Sequence, residues 1–215
     1  MSLLISDRRL LLILNPRCAS RTLLKIFRPL CSDEELRLYN ALKNESNRRD
    51  HLTLQESEIA YKNIDLSDYT AIIAIRNPFE RILSLYWFFK TLDFDLYETF
   101  VTSLGKNDKA LYDQLNQIKQ IDFDDFVALP YFNNPANLYS FSTFCLDSLR
   151  RSRIIQKIKI LRVETLASDL RQLSISVGDV HEHRLYRPEN ISMSLSSRSI
   201  ICTIFASDIE EGSYL

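Results

Sequence analysis

The chain has 215 residues, enough for one domain with a sizeable core, and its 27 lysines and arginines nearly balance its 28 aspartates and glutamates. This balance excludes a global attraction to nucleic acid or to an anionic membrane surface, so any anion site has to be local. The four cysteines show no C-x-x-C spacing, which argues against a zinc site and favours a reducing, cytoplasmic setting without a membrane span.

Three short apolar runs indicate the strands of a parallel sheet. They cover Leu10–Leu14, Ala71–Ile75 and Ile158–Val163, and stretches with helical periodicity separate them. Continuous apolar runs of this length are typical of strands that are buried on both faces. We therefore predict a single α/β domain over residues 1–215, a three-layer sandwich with a central parallel sheet flanked by helices.

The loop after the first run, Asn15 to Thr22, lies where open parallel sheets bind ligands. Its predicted anion donors are the side chain of Arg17 and the backbone N–H groups of Cys18, Ala19, Ser20, Arg21 and Thr22. The loop lacks the glycines and the lysine-hydroxyl pair of a magnesium-nucleotide loop, G-x-x-x-x-G-K-[ST]. An ordinary strand-to-helix turn, capped by Ser20 or Thr22, would explain the same loop sequence.

The helix after the second run has a well-marked start. Asn77 is the expected N-cap, Pro78 the first helical residue and Glu80 the partner that completes a capping box. Apolar residues from Phe79 to Trp87 recur at helical spacing, so we expect this face to pack on the sheet. Two polar residues fall on the opposite face, Arg81 and Ser84.

Arg76 ends the second run and so places a permanent cation at the same sheet edge as the loop. Ser84 lies about 10 Å further along the helix axis, at 1.5 Å per residue, within reach of the arginine side chain. The two residues could hold a second anionic group. Alternatively, Arg76 and Arg81 are ion-pair partners of Glu80 or of a neighbouring helix, but the combination with the loop favours an anion site.

Two segments resemble the sulfotransferases that use 3′-phosphoadenylyl sulfate (PAPS). Ile75–Tyr86 is similar to the family segment V-R-[DN]-P-F-E-R-L-[LV]-S-x-Y, and Pro16–Leu23 to its loop P-K-T-[AG]-[ST]-x-[ST]-[LF]. The order of the two segments is kept, and the match is closest to the carbohydrate sulfotransferases and their bacterial relatives. The resemblance implies a fold like that of the P-loop NTPases.

The resemblance also implies roles for the candidate residues. Arg17 and the N–H groups of residues 18–22 would bind the 5′-phosphosulfate, Arg76 and Ser84 would bind the 3′-phosphate, and no metal would be needed. The family's loop lysine is replaced by Arg17, which keeps the charge but stays protonated. Arg17 is therefore expected to stabilise charge rather than to donate a proton.

His51 is the candidate general base among three histidines. It precedes a predicted capping box, Thr53 to Glu56, and lies in a stretch similar to the family's H-x-T-x-x-E-I. The ordinary pKa of histidine suits proton transfer near neutrality, although a surface histidine without a role is an equal alternative. His181 and His183 have no evident third ligand for a metal.

The sequence thus predicts transfer of a sulfuryl group from PAPS to a hydroxyl of an acceptor, expected to be a carbohydrate, and leaves the oligomeric state open. Two alternatives stay open at this point. One is a nucleotide-dependent kinase on a P-loop-like fold, which would bind ATP with magnesium. The other is a non-catalytic relative that binds the nucleotide or a glycan without turnover.

Overall fold

A computed structural model describes residues 2–45, 51–91, 116–130, 145–175 and 191–214. Its sheet has four strands in the order β1-β2-β3-β4: β1 Ser2–Ile5, β2 Leu10–Ile13, β3 Thr70–Ile75 and β4 Lys157–Arg162. β2, β3 and β4 run parallel, whereas β1 pairs with β2 in the antiparallel sense. The predicted strands are confirmed to within one residue at each end, and β1 is an edge strand that we did not predict.

Helices connect the strands and follow the sheet along the chain. They are α1 Ser20–Phe27, α2 Asp33–Glu45, α3 Leu54–Ala60, α4 Pro78–Thr91, α5 Phe123–Ala128, α6 Leu146–Leu149, α7 Leu166–Gln172, α8 Leu195–Ile204 and α9 Ala206–Gly212. Pro29 lies in the short 3-10 turn Arg28–Leu30 that follows α1, as expected of a residue that ends a helix.

The sheet is covered by helices on both faces. On one face, Leu12 and Ile72 belong to a buried cluster with Leu23 and Phe27 of α1 and with residues of α7. On the other face, the alternate strand residues join a second cluster with α3 and α6. The predicted three-layer α/β sandwich is confirmed, with a sheet that is mixed rather than entirely parallel.

The apolar face of α4 does not pack on the sheet, contrary to the prediction. Ile82, Tyr86 and Phe89 belong to a separate cluster with residues of α5 and α8, and the rings of Tyr86 and Phe123 meet edge to face at 5.5 Å. Periodicity shows which helix face is apolar but not which element covers it, and here other helices cover it. The opposite face of α4 is turned toward the loop after β2.

β4 is also less buried than its apolar run predicted. Leu161 is buried, while Lys157, Lys159 and Arg162 are exposed. The charged residues alternate with apolar ones because β4 lies at the edge of the described sheet, with β3 as its neighbour. Among the described residues, no helix is long and apolar enough to cross a membrane.

The register of the sheet places two strand ends next to each other. Ile13 of β2 pairs with Ile73 of β3, so the loop after β2 and the residues after β3 leave the sheet at one edge. This edge holds most of the residues predicted to bind an anion. His181 and His183 lie outside the described residues.

Candidate active site

The loop after β2 is a tight turn that does without glycine. Arg17 and Ala19 both adopt left-handed backbone conformations, with φ of 62° and 57°. The carbonyl oxygen of Asn15 accepts two hydrogen bonds within the turn, from Cys18 N at 3.2 Å and from Ser20 Oγ at 2.6 Å. Left-handed residues each cost about 1 to 2 kcal/mol, so surrounding contacts have to impose this conformation.

The turn leaves the first N–H groups of α1 open to a ligand. The N–H groups of Ala19, Ser20, Arg21 and Thr22 donate to no acceptor within the described residues, and no side chain caps this helix end. These four N–H groups, which we call the cradle, lie at the positive end of the helix dipole, an arrangement that suits an anion. The alternative of a turn capped by Ser20 or Thr22 is therefore wrong.

Cys18 departs from its predicted role. Its N–H is used by the bond to Asn15, so residues 18–22 offer four open N–H groups instead of five. The side chain is fully buried, and burial raises the pKa of the Cys18 thiol to about 11. A thiol that stays protonated is neither a nucleophile nor a metal ligand at neutral pH. The backbone N–H of Cys18 therefore stabilises the turn and is not among the open donors.

Arg17 reaches across to α4. Its Nε and Nη2 donate to Ser84 Oγ at 3.3 and 2.9 Å, and its guanidinium lies over the ring of Phe88, 4.9 Å from the centroid. Burial, together with the neighbouring charges of Arg76 and Arg21, lowers the pKa of Arg17 to about 10. Arg17 therefore remains a cation at neutral pH, in direct contact with a second predicted site residue.

Arg76 lies between the loop and α4. Its Nη1 donates to the carbonyl oxygen of Arg17 at 3.5 Å, and its Nη2 lies 3.7 Å from Glu80 Oε2. The side chain is 20% exposed, so part of it faces solvent. The geometry is therefore compatible with both predicted roles of Arg76. It lies close to Glu80, and it also lies beside the loop where an anion would bind.

The capping box predicted at the start of α4 is completed by a different glutamate. Asn77 Oδ1 accepts from the N–H groups of Phe79 and Glu80, at 3.0 and 3.4 Å, as an N-cap does. Asn77 N, however, donates to Glu164 Oε1 at 2.8 Å, while Tyr214 donates to the other oxygen of Glu164 at 2.7 Å. The predicted partnership of Asn77 with Glu80 is wrong because Glu80 is turned toward Arg76.

Arg81 is a site residue that sequence analysis missed. It is only 5% exposed, and it donates to Asn15 Oδ1 and to the carbonyl oxygen of Pro16. One signal was available: no acidic residue lies three or four positions away from Arg81, whereas Arg76 has Glu80 at i+4. An arginine that has no acidic residue one turn away on its own helix is expected to contact a residue of another element.

His51 lies against the end of β2. Its Nδ1 is 2.5 Å from the carbonyl oxygen of Leu14, the residue before the loop. Since a carbonyl can only accept, Nδ1 carries the proton and the lone pair of the neutral ring is on Nε2. Burial lowers the pKa of His51 to about 3, below the value near neutrality that the sequence led us to expect. The capping box predicted after it, Thr53 with Glu56, is confirmed.

A sequence model of the Sulfotransferase family matches residues 2–198 of this chain. The chain belongs to the sulfotransferase family. No curated protein and no solved structure gave a significant match. Membership supports a transferase of sulfuryl groups and speaks against the kinase alternative. It leaves the donor, the acceptor and the roles of single residues to be argued from the site.

Beside the cradle, the sulfotransferase has a surface groove of about 570 Å³ along α1 and α2. It is lined by Arg21, Leu24, Lys25, Arg28, Pro29 and Leu36. The three cations of the groove have no ion-pair partner within the described residues. Arg21 links the two features, because its N–H belongs to the cradle and its side chain to the groove. No group of three or more potential metal ligands occurs in the part of the sulfotransferase that the structure describes.

Half-buried His51, whose pKa is lowered, predicts a pH dependence of stability. The unfolded chain protonates His51 below its ordinary pKa of 6.5, whereas the folded sulfotransferase does so only near pH 3. The unfolded state therefore binds more protons between these values, and the free energy of unfolding decreases as the pH falls from 6.5 toward 3. We expect a loss of about 2 kcal/mol at pH 5 from this residue.

Urea denaturation of the wild type and of His51→Asn at pH 7.5 and pH 5 measures this loss. Asparagine can still donate to Leu14 but does not titrate, so its stability should fall less between the two pH values. Equal losses in both proteins would show that His51 is not buried as a neutral ring.

Proposed function

We propose that this sulfotransferase moves a sulfuryl group from PAPS to a hydroxyl of a carbohydrate. The observation that supports PAPS is the pairing of two anion sites at adjacent strand ends: the four open N–H groups of residues 19–22 after β2 and Arg76 after β3. PAPS carries its anionic groups at two ends, the 5′-phosphosulfate and the 3′-phosphate. A nucleotide of this shape matches two separate sites better than a single cradle would.

The 5′-phosphosulfate would lie in the cradle at the start of α1, with Arg17 beside it. The 3′-phosphate would be held by Arg76 and Ser84. Arg17 donates to Ser84 in the structure, so a bound donor would replace this hydrogen bond with contacts to its own oxygens. Arginine suits both places because its planar fork matches phosphate and sulfate oxygens.

The chemical step resembles phosphoryl transfer in its needs. The acceptor oxygen attacks the sulfur in line, the bond from sulfur to the bridging oxygen breaks, and its electron pair leaves on the phosphate of adenosine 3′,5′-bisphosphate. The N–H groups of the cradle and Arg17 would stabilise the charge that develops on the oxygens. The acceptor proton would pass to Nε2 of His51.

The low pKa of His51 determines the protonation state of the proposed base. The imidazole is neutral near pH 7, and the imidazolium that forms during transfer is a stronger acid than an ordinary imidazolium and returns its proton readily to water. The general-base proposal therefore depends on position rather than on a pKa near 7. It also implies that kcat/KM does not fall with a midpoint near 6.5, as it would for an exposed histidine.

The groove along α1 supports an acceptor that bears negative charge. Arg21, Lys25 and Arg28 line it, and Arg21 also contributes its backbone N–H to the cradle, where the sulfuryl group would be presented. Opposite charge on the acceptor would raise its rate of encounter and orient it along the groove. Acidic oligosaccharides are therefore expected to be better acceptors than neutral ones of the same length.

Transfer of labelled sulfate from PAPS to neutral and acidic oligosaccharides tests the function. We expect transfer by the wild type, and a loss of about 10²-fold in His51→Ala, the lower end of the range for removal of a general base, because a base of low pKa is a weak one. The dissociation constant for adenosine 3′,5′-bisphosphate should change less than about twofold in this variant, because His51 is not a predicted ligand of the nucleotide. Tight nucleotide binding without any transfer, unaltered in His51→Ala, would favour the non-catalytic binder.

A further inference from the structure

Arg81 is a buried cation that the proposed chemistry does not use. It is 5% exposed, so it is shielded from solvent and from a ligand in the cradle. Its Nε donates to the carbonyl oxygen of Pro16 at 3.1 Å, and its Nη2 donates to Asn15 Oδ1 at 2.9 Å. Both acceptors belong to the turn that precedes the cradle.

Asn15 extends this contact to the sheet. Its side chain is fully buried, and its Nδ2 donates to the carbonyl oxygen of Ala74 in β3 at 3.0 Å. Its own carbonyl oxygen accepts from Cys18 N and from Ser20 Oγ. Arg81 and Asn15 thus connect α4, β3 and the loop through a chain of hydrogen bonds. This is the kind of support that the left-handed conformations of Arg17 and Ala19 require in a loop without glycine.

An aromatic ring and a buried acidic residue lie near the charge of Arg81. Its guanidinium lies over the ring of Phe205, 5.3 Å from the centroid. Asp208 is fully buried nearby, and within the described residues its Oδ1 has no hydrogen-bond partner, while its Oδ2 accepts from Leu146 N at 2.6 Å. Burial raises the pKa of Asp208, and the positive charge of Arg81 acts in the opposite direction. The ring of Phe205 and the side chain of Asp208 therefore both lie close to the buried guanidinium of Arg81.

Arg81 and Ser84 lie one turn apart on α4, and both reach the loop: Arg81 contacts Asn15 and Pro16, and Ser84 contacts Arg17. The helix that carries the 3′-phosphate site therefore also determines where the cradle stands. We propose that Arg81 is a positioning residue, which fixes the turn at Asn15 and Pro16 so that the N–H groups of residues 19–22 converge on the 5′-phosphosulfate. This inference rests on the proposed function and adds a residue to it.

The affinities for two nucleotides distinguish a positioning role of Arg81 from a general contribution to the stability of the fold. Adenosine 3′,5′-bisphosphate uses both sites, whereas adenosine 3′-monophosphate lacks the 5′-phosphate and uses the Arg76 site without the cradle. Arg81→Lys keeps the charge but cannot donate to Asn15 and Pro16 together through a planar fork. We expect it to weaken the bisphosphate about tenfold or more and the 3′-monophosphate less than about twofold, measured by calorimetry.

Arg9→Lys is the matched control, because Arg9 is an exposed arginine at the opposite end of β2, paired with Asp68. It should alter neither affinity. If Arg81→Lys does not fold, judged by circular dichroism and thermal unfolding, Asn15→Ala replaces it: this change removes the acceptor of Nη2 and should show the same selective loss.

The outcomes are distinct. A folded Arg81 variant that loses both nucleotides equally, or neither, would overturn the positioning role while the proposed function stands. A wild-type protein that binds neither nucleotide would overturn both. A weaker affinity for the 3′,5′-bisphosphate, with the affinity for the 3′-monophosphate unchanged, would establish that Arg81 positions the cradle.

Discussion

Arg76→Ala is expected to weaken adenosine 3′,5′-bisphosphate by about 2 to 4 kcal/mol, or roughly 30- to 900-fold in the dissociation constant. The side chain of Arg76 is 20% exposed between the loop and α4, so its contact with a phosphate would be partly desolvated. Charge-assisted hydrogen bonds are strongest in such places. Calorimetric titration of the wild type and the variant measures the difference.

Arg162→Ala provides a matched control for this change. Arg162 ends β4 as Arg76 follows β3, and its Nη2 lies 3.7 Å from Asp169 Oδ1, but it is more exposed and makes no described contact with the loop. Its removal should leave the affinity for the bisphosphate nearly unchanged. If Arg76→Ala behaves like Arg162→Ala, the 3′-phosphate is not bound at Arg76.

Arg17→Ala is expected to lower kcat/KM for sulfuryl transfer by about 10²- to 10³-fold, the usual cost of removing one preorganised charge-stabilising donor. Arg17 contacts Ser84 and lies partly buried beside the cradle, where its charge acts in a medium of low dielectric. A single-turnover assay with labelled PAPS separates this loss from slow product release.

Arg17→Lys tests whether charge or shape matters. Lysine keeps the cation and tolerates the left-handed backbone of position 17 no worse than arginine. If positive charge is the main contribution, this variant should retain transfer within about tenfold of the wild type. If Arg17→Ala transfers sulfate as fast as the wild type, Arg17 is not part of the chemistry.

The strand ends were predictable because they depend on local patterns. Leu10–Leu14 and Ala71–Ile75 are apolar runs that Asn15-Pro16 and Arg76-Asn77-Pro78 interrupt, and parallel strands bring such ends to one edge. The N-cap role of Asn77 and the capping box of Thr53 followed from residues close in sequence. These elements position most of the site.

The missed features all depend on contacts between distant residues. Glu164, 87 positions from Asn77, takes the place predicted for Glu80. α4 packs on α5 and α8 rather than on the sheet, because its apolar pattern does not identify its partner. The pKa of His51 depends on how deeply its loop is buried against Leu14, which no local pattern contains.

In the loop after β2, too, some features could be predicted from local sequence and others could not. Its place after β2 was predictable, but its backbone was not: the left-handed conformations of Arg17 and Ala19, and the bond that removes Cys18 N from the cradle, arise from the turn as a whole. Arg81 is the clearest case, because its role depends on Asn15 and Pro16, more than 60 positions earlier.

The central claim is that the ends of β2 and β3 form one nucleotide site with two phosphate positions. Calorimetric titration of the wild type with adenosine 3′,5′-bisphosphate in the presence of EDTA tests it most directly, with adenosine 5′-monophosphate and magnesium ATP as comparisons. We predict binding of the bisphosphate without metal, at least about 30-fold tighter than the 5′-monophosphate, since the 3′-phosphate adds the contacts of Arg76 and Ser84. Equal affinity for the two nucleotides, or binding of magnesium ATP alone, would contradict the claim.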